Sequence, residues 1–306
     1  MKSYFLRRIG WMLLIVFLVS TAVFFMIHLI PGDPIDQILG ENALPGKREE
    51  LRQALNLHLP IYQQYWLYWK ELITLDLGTS IHTQEKVWDI IKAKYPQTIL
   101  LACTSLAVAI LISIPLGILA ALKQNKALDN ISMVTALLGI SLPNFWLGPI
   151  LILIFSINLN WLPPSGNYGW QSLILPSSSL GTALAAILTR LTRASMLEVL
   201  REDYILAARA KGLPESRVIL KHALKNALIP IITILGLQFG SLLGGAVIVE
   251  EIFAWPGIGR EVVNAIRTRD FPLVQGCILV IATTYLAVVI LTDLAYALVN
   301  PKIRYD

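Results

Sequence analysis

The side chains that usually carry enzymatic chemistry are scattered along this 306-residue sequence. Its histidines form no H-E-x-x-H motif, and no compact set of carboxylates or thiols accompanies them. A G-x-x-x-x-G-K-[ST] phosphate-binding loop is also missing from the sequence, since Arg48 stands where residues 45–48 would need a hydroxyl. We therefore predict no catalytic residue, no metal site and no cofactor in this chain. The four histidines are His28, His58, His82 and His222.

One compact polar element, Asp203 to Pro230, lies between two long apolar runs. Its spacing predicts a short alanine-rich helix over 204–211, a left-handed helix end at Gly212 and a second helix that begins after Pro214. The small alanines favour close approach of another protein surface, which makes the element a docking knob. The alternative is a basic in-plane helix held by anionic lipids, but such a helix would carry large apolar residues on one face.

Composition indicates a membrane protein, because 56% of the residues are hydrophobic and only 15% are charged, with a mean hydropathy of +0.65. Soluble domains carry about a quarter charged residues. The net charge of +5 comes from basic residues beside apolar runs, so we expect no nucleic-acid partner. Both cysteines, Cys103 and Cys277, lie inside apolar runs and indicate neither a disulfide nor a metal framework.

Six segments approach the 20 or so apolar residues that a helix needs to cross a bilayer. The first is too long for a cleaved signal sequence and is interpreted as a retained span. We expect a kink or interruption in the third, which contains Pro143 and Pro149, and the fourth is the shortest. The predicted spans are 9–30, 98–122, 131–159, 173–189, 226–249 and 273–299.

The distribution of Lys and Arg predicts that both termini are cytosolic. The segments then assigned to the inside, 1–8, 123–130, 190–225 and 300–306, hold 3, 2, 8 and 2 of these residues. The short outside loops, 160–172 and 250–272, hold none and three. The whole chain is interpreted as one transmembrane domain, 1–306, in which 197–225 forms a cytosolic loop between spans 4 and 5.

The long outside segment, 31–97, is predicted to be a folded helical insertion rather than a disordered loop. Apolar residues recur at helical spacing on both sides of Pro60. We interpret it as an amphipathic cap on the outer surface, which is compatible with docking of an external partner.

A few residues inside the predicted spans could serve helix packing or make polar contacts. Gly236, Gly240 and Gly244 recur every four residues and predict a smooth packing face on span 5. Asn144 and Gln238 are polar residues within predicted spans and could make hydrogen bonds between helices. The remaining candidate, Asp293, carries the only formal charge inside a predicted span, and we expect a structural partner for it rather than a substrate or proton role.

The polar element resembles the EAA loop of ABC-importer permeases. In that motif a glutamate and two alanines precede a glycine, and here Ala207, Ala208 and Gly212 match while Leu206 replaces the glutamate. The segment ARAKGL followed by HALKNALIP resembles the corresponding segments of the peptide/nickel branch of these permeases. So do nine segments in order, namely LRR near the start, PGDP at 31–34, DLGTS at 76–80, SLPNFWLG at 141–148, WLPPSG at 161–166, RASMLEVLREDY at 193–204, FAWPGIGR at 253–260, RDFPLVQG at 269–276 and NPKIR at 300–304.

The resemblance implies an all-α, six-span permease of the type I ABC-importer fold in the inner membrane of a prokaryote. It implies a second homologous permease as a heterodimer partner, an external solute-binding protein, and two ATP-binding subunits that hold ATP and Mg²⁺. The cytosolic coupling helix would then contact the ATPase through Ala207, Ala208, Arg209, Ala210, Lys211, Gly212 and Leu213. In such a permease Asn144 and Gln238 would be candidates to line the translocation pathway, with a hydrogen bond between helices as the alternative for each.

The sequence leaves alternatives open for both the substrate and the class of protein. Short peptides are the favoured cargo by resemblance, with glutathione or a nickel chelate as alternatives. An intramembrane enzyme is disfavoured by the scattered histidines, and a channel or receptor by the lack of a selectivity filter, a charged pore ring or a signalling domain. ATPase activity of the isolated chain would favour the enzyme, and ion currents without ATP would favour the channel.

Overall fold

A computed structural model describes residues 2–29, 35, 45–54 and 56–299, and the regular secondary structure over these residues consists of helices joined by turns and loops, with one isolated β-bridge between Thr79 and Lys86. The sequence motifs at 31–34 and 300–304, with the predicted cytosolic C-terminus, lie outside the described residues. The helices are α1 Lys2–Leu29, α2 Pro45–Ala54, α3 Ile61–Ile73, α4 Val87–Leu122, α5 Ala127–Ser141, α6 Asn144–Leu151, α7 Gln171–Val199, α8 Asp203–Ala210, α9 Glu215–Ile252, α10 Ile258–Arg267 and α11 Phe271–Val299.

Four described helices, α4, α7, α9 and α11, are individually long and apolar enough to cross a membrane. Helix α5 and helix α6 with its π-helical extension Ile152–Asn158 are together long and apolar enough to form a fifth span. They are separated by a bend of 109° beside Pro143. The interruption expected from the prolines therefore lies at the α5–α6 junction. Helix α1 contributes a shorter apolar stretch, Gly10–Met26.

Several helices extend beyond the spans predicted within them, and two of the differences concern α4 and α7. Helix α4 begins at Val87 rather than near residue 98, because the amphipathic stretch before the second predicted span continues into it as one helix. Helix α7 runs from Gln171 to Val199 with Pro176 inside it, so the fourth span is longer than the sequence indicated. Proline is tolerated in such helices when neighbouring groups satisfy the freed backbone carbonyl.

The chain forms two compact units, and the first contains the residues up to 97 together with 257–284. Its core joins the start of α4 to α10 and the start of α11 through Val87, Ile91, Ile258 and Cys277. Within the same unit α3 packs along α1, where Tyr65 contacts Phe24 and Phe25 with ring centroids 5.2 and 5.6 Å apart.

The second unit contains residues 98–256 and the chain from 285 onward. One of its hydrophobic clusters joins α4, α7 and α9 and includes the fully buried Trp255. A separate cluster joins Ile118 of α4 and Met196 of α7 to the residues of α8 and the start of α9. This separate cluster supports the polar element that the sequence singled out.

Candidate coupling site

Helix α8, Asp203–Ala210, is flanked by the N-cap Glu202 and the C-cap Lys211 and lies within the polar element between α7 and α9. Asp203 lies in its first turn, where a carboxylate complements the helix dipole. Gly212 has a φ of +73°, and its N–H donates to the carbonyl of Arg209 at 2.9 Å. Only glycine adopts this left-handed conformation without steric cost, so it closes the turn, and Pro214 then caps the start of α9.

One face of α8 holds the helix to the protein's own core. Ile205 is fully buried and Ala208 is 8% exposed, and both belong to the cluster with Met196 and Val218. Leu213, just after the turn, is half-buried against the same cluster. These apolar contacts fix the position of the helix without using its opposite face.

The opposite face of α8 is exposed and carries mostly small or basic side chains. Ala207, Ala210 and Lys211 are all exposed. Leu206 is 55% exposed, which makes it the one large aliphatic side chain that α8 directs outward. The result is a low, accessible surface whose large projections are Leu206 and Tyr204, rather than the broad apolar stripe of a lipid-bound helix.

Two polar contacts brace the turn from outside. Arg209 donates from Nη2 to Glu215 Oε1 at 2.7 Å and from Nε to Oε2 at 3.2 Å, which links α8 to the start of α9. The Asn226 amide donates to the Tyr204 hydroxyl at 2.6 Å. Arg209 lowers the pKa of the Glu215 carboxyl through this hydrogen bond and its positive charge, so the pair stays ionised at neutral pH.

The seven residues predicted for coupling therefore separate by position. Ala207, Arg209, Ala210, Lys211 and Gly212 lie on the accessible surface. Ala208 and Leu213 instead contact the protein's own core. The side chains of Ala208 and Leu213 position the helix, and only the five exposed residues are available to another protein.

The three glycines of α9 also differ from one another. A Cβ built on Gly236 would lie 2.2 Å from Thr292 Cγ2, and one on Gly240 would lie 2.7 Å from the Tyr285 ring. Both glycines thus let α9 and α11 approach closely. A Cβ on Gly244 would meet nothing within 4 Å.

The remaining candidates are not brought together with α8. Gln238 is half-buried on α9, and its carbonyl and amide oxygens accept from the Ser241 hydroxyl at 2.8 and 3.3 Å. Asn144 is the first residue of α6 and Asp293 lies within α11, but both side chains lie outside the described residues.

Sequence reasoning missed three buried carboxylates among the described residues: Asp270 of the first unit, which accepts from the Ser80 hydroxyl at 2.5 Å, and two in the second unit. Asp129, 2% exposed, pairs with Arg193, and Glu250, fully buried, accepts from the Thr98 hydroxyl at 2.6 Å. Each carboxylate lies far in sequence from its partner, so local spacing gives no signal. The only hint is that an acidic residue adjoins a long apolar run in each case.

Two family models match the chain. One, described as "Binding-protein-dependent transport system inner membrane component", matches residues 113–305, and the other, described as "Binding-prot-dependent transport system membrane comp, N-term", matches residues 1–102.

Similar proteins include the glutathione transport system permease protein GsiC of Escherichia coli (strain K12), which is 43% identical over 305 residues and 100% of both chains. The protein of that name from Shigella flexneri serotype 5b (strain 8401) is equally similar over the same share of both chains. Among solved structures, an amino acid ABC transporter crystallised with histidines matches with a TM-score of 0.53 at 16% identity. That match covers 68% of this chain and 93% of the other.

Proposed function

The chain belongs to the family of binding-protein-dependent transport system inner membrane components and is a permease subunit of an ABC importer of the peptide/nickel branch, and we propose that it couples to its ATPase through the exposed face of α8. The observation that supports this proposal is the division of α8 into a face anchored on the protein's own core and an accessible face of small side chains. A helix held from behind transmits a displacement to the helices that hold it.

The assembled transporter then contains two ATP-binding subunits, which supply ATP and Mg²⁺, a second homologous permease and an external solute-binding protein. In this arrangement the chain crosses the membrane six times in the type I permease fold, with α1 and the α5–α6 pair as the two additional spans. Both termini and the 197–225 loop face the cytosol, and the 31–97 insertion faces outward. Four long apolar helices, the bent pair and the excess of Lys and Arg in the inside segments support this topology.

Coupling follows from the connectivity of the second unit. When the ATPase subunits close around ATP, they displace α8, and the displacement reaches α7 and α9 because α8 joins them directly and shares their hydrophobic cluster. These helices then alternate between inward-open and outward-open arrangements. Asn144 of α6 and Gln238 of α9 are candidate pathway residues, and Asp293 of α11 is a candidate structural charge.

We propose glutathione or another short peptide as the cargo. The name of the relatives that are 43% identical over their full length supports glutathione, which is itself a tripeptide. A nickel chelate remains the alternative within the branch. Purified complexes in liposomes, supplied with the proposed solute-binding protein, should take up labelled glutathione in an ATP-dependent manner. Preferential uptake of a dipeptide or a nickel chelate would contradict the glutathione assignment and leave the coupling proposal intact.

Crosslinking tests the coupling surface. Cysteine is placed by Leu206→Cys on the exposed face or by Ala208→Cys on the anchored face, with Cys103→Ser removing the exposed native thiol. We expect a short thiol-reactive crosslinker to join the Leu206→Cys variant to the ATP-binding subunit and to leave the Ala208→Cys variant unlinked. Adducts with lipid alone at the exposed position would contradict docking and favour an in-plane lipid-bound helix.

A further inference from the structure

An ion pair between a buried carboxylate and a half-buried guanidinium joins α5 to α7. Arg193 donates from Nε to Asp129 Oδ1 at 2.5 Å and from Nη2 to Oδ2 at 2.7 Å, so the guanidinium binds both carboxylate oxygens. Asp129 is 2% exposed and also accepts the Asn125 N–H at 2.9 Å. Two parallel charge-assisted hydrogen bonds fix distance and orientation together, which a single contact does not.

Beyond this ion pair, the seam between α5 and α7 is made of small side chains. A Cβ built on Gly139 of α5 would lie 3.1 Å from the Ala186 Cβ and 3.6 Å from Thr182 Cγ2 on α7. A cavity of about 110 Å³ continues the seam beside Ser132, Ala136 and Thr189 of these two helices. Small residues allow close approach but offer few ridges that interlock, so they resist separation more than sliding along the helix axis.

The hydroxyl groups along the seam do not prevent α5 from sliding along α7 either. Ser132 donates to the carbonyl of Leu128, and Thr189 donates to that of Ala185, each within its own helix. Thr182 likewise donates to the carbonyl of Ser178. These hydroxyl bonds therefore leave the axial register of α5 against α7 to the ion pair.

The α7 side of the pair is fixed firmly to the coupling region. A Cβ built on Gly117 of α4 would lie 2.5 Å from the Cβ of Thr192, the neighbour of Arg193. One turn later Met196 enters the cluster that anchors Ile205 and Ala208 of α8. Helices α4, α7 and α8 thus pack as a block, and Asp129 ties the beginning of α5 to it.

We propose that Asp129 and Arg193 are positioning residues that lock the axial register of α5 against α7, so that a displacement of α8 reaches α5 and the bent α5–α6 pair. This inference rests on the proposed coupling function. Lysine does not replace Arg193 in this role, because a single ammonium lacks the two-pronged geometry that holds both oxygens.

Disulfide formation measures the register directly, without ATP or substrate. Two double variants share Gly139→Cys, one combined with Ala186→Cys and the other with Thr182→Cys one turn earlier on α7. Oxidation of the permease in its assembled complex should favour the pair with Ala186→Cys. The ratio of the two disulfide yields reports the position of α5, and the strain that Gly139→Cys introduces is common to both.

Removing both charges by Asp129→Asn with Arg193→Gln avoids leaving one buried charge without its partner. We expect this double change to lower the disulfide ratio about tenfold, because two charge-assisted hydrogen bonds no longer define the register. Arg193→Lys should give an intermediate ratio. An unchanged ratio in the neutral variant overturns the proposal, and if that variant fails to assemble, an unchanged ratio in Arg193→Lys does so.

Transport tests the consequence of losing the register. In the neutral variant with Gly139→Cys and Ala186→Cys, glutathione imported per ATP hydrolysed should fall about tenfold when the thiols are reduced and recover when the disulfide forms. No recovery, despite a restored crosslink, overturns the link between register and coupling. If glutathione is not the cargo, only this transport measurement is lost, because the disulfide ratio needs no substrate.

Discussion

Helix α8 and the glycine-bearing part of α9 both depend on small residues, but they use them for opposite purposes. On α8 the exposed Ala207 and Ala210 leave a low surface that no described part of the chain covers. On α9 Gly236 and Gly240 have no side chains, and the space beside them is filled by Thr292 and Tyr285 of α11. A small residue therefore marks a close approach, and the structure decides whether the approaching surface belongs to the same chain.

This difference separates stability from coupling. Substitutions at the covered glycines should disturb the fold, whereas substitutions at the exposed alanines should leave the fold intact and disturb only a contact with another subunit. The two regions thus supply controls for each other.

The largest effect is expected at Gly236. Leucine there must displace Thr292, whose Cβ would lie 2.8 Å from the new Cβ, and Thr292 is only 8% exposed. Because overpacking of a tight contact costs about 1–3 kcal/mol or more, we expect a sharp loss of monodisperse protein and of melting temperature in detergent. Gly240→Leu should be milder, since the Tyr285 ring is 45% exposed and has room to move.

Gly244→Leu is the matched control for both glycine variants, because a Cβ at this position meets no atom within 4 Å. It should keep the yield and melting temperature of the parent chain. Equal losses for the Gly236 and Gly244 variants would show that the contacts with α11 do not govern stability at this face.

The sequence predicted the local features of both regions. The helix end at Gly212, the start after Pro214 and the recurrence of glycine on α9 depend on residues within a turn or two of each other. Long apolar runs likewise predicted α4, α7, α9 and α11, although an amphipathic beginning concealed the true start of α4 at Val87.

The orientation of each small residue could not be predicted from the sequence. Ala207 and Ala208 look equivalent in the motif, yet only Ala208 turns toward Ile205 and the core, three residues apart on one helical face. The pairing of Asp129 with Arg193, 64 residues away, depends equally on tertiary packing. Local patterns indicated where the surfaces are, and packing determined which of them remain free.

The second prediction concerns α8. Ala207→Trp should leave insertion and melting temperature unchanged, because the side chain is exposed, but it should reduce substrate-stimulated ATP hydrolysis of the complex by at least about tenfold. A bulky ring on the docking face prevents close approach of the ATPase. The measurement is glutathione-stimulated phosphate release from complexes in liposomes, with melting temperature determined on the same preparations.

Ala208→Trp provides the contrasting result, because it forces an indole into the cluster around Met196 and should destabilise the chain itself. Normal stimulated hydrolysis in Ala207→Trp would mean that α8 contacts the ATPase by another face or not at all.

The smallest effect is expected for the exposed pair of Arg209 and Glu215. The pKa of Glu215 is lower in the folded chain than its ordinary value of 4.5, so the pair contributes stability above that pH and loses it as the pH falls through the lowered pKa. Because both side chains are exposed and salt screens them, we expect Glu215→Gln to change the melting temperature by no more than about 2 °C at pH 7. That difference should shrink at pH 4 and in 1 M salt. A larger change that persists in high salt would mean that the turn at Gly212 depends on this pair, and that α8 is held from its exposed side as well as from its core.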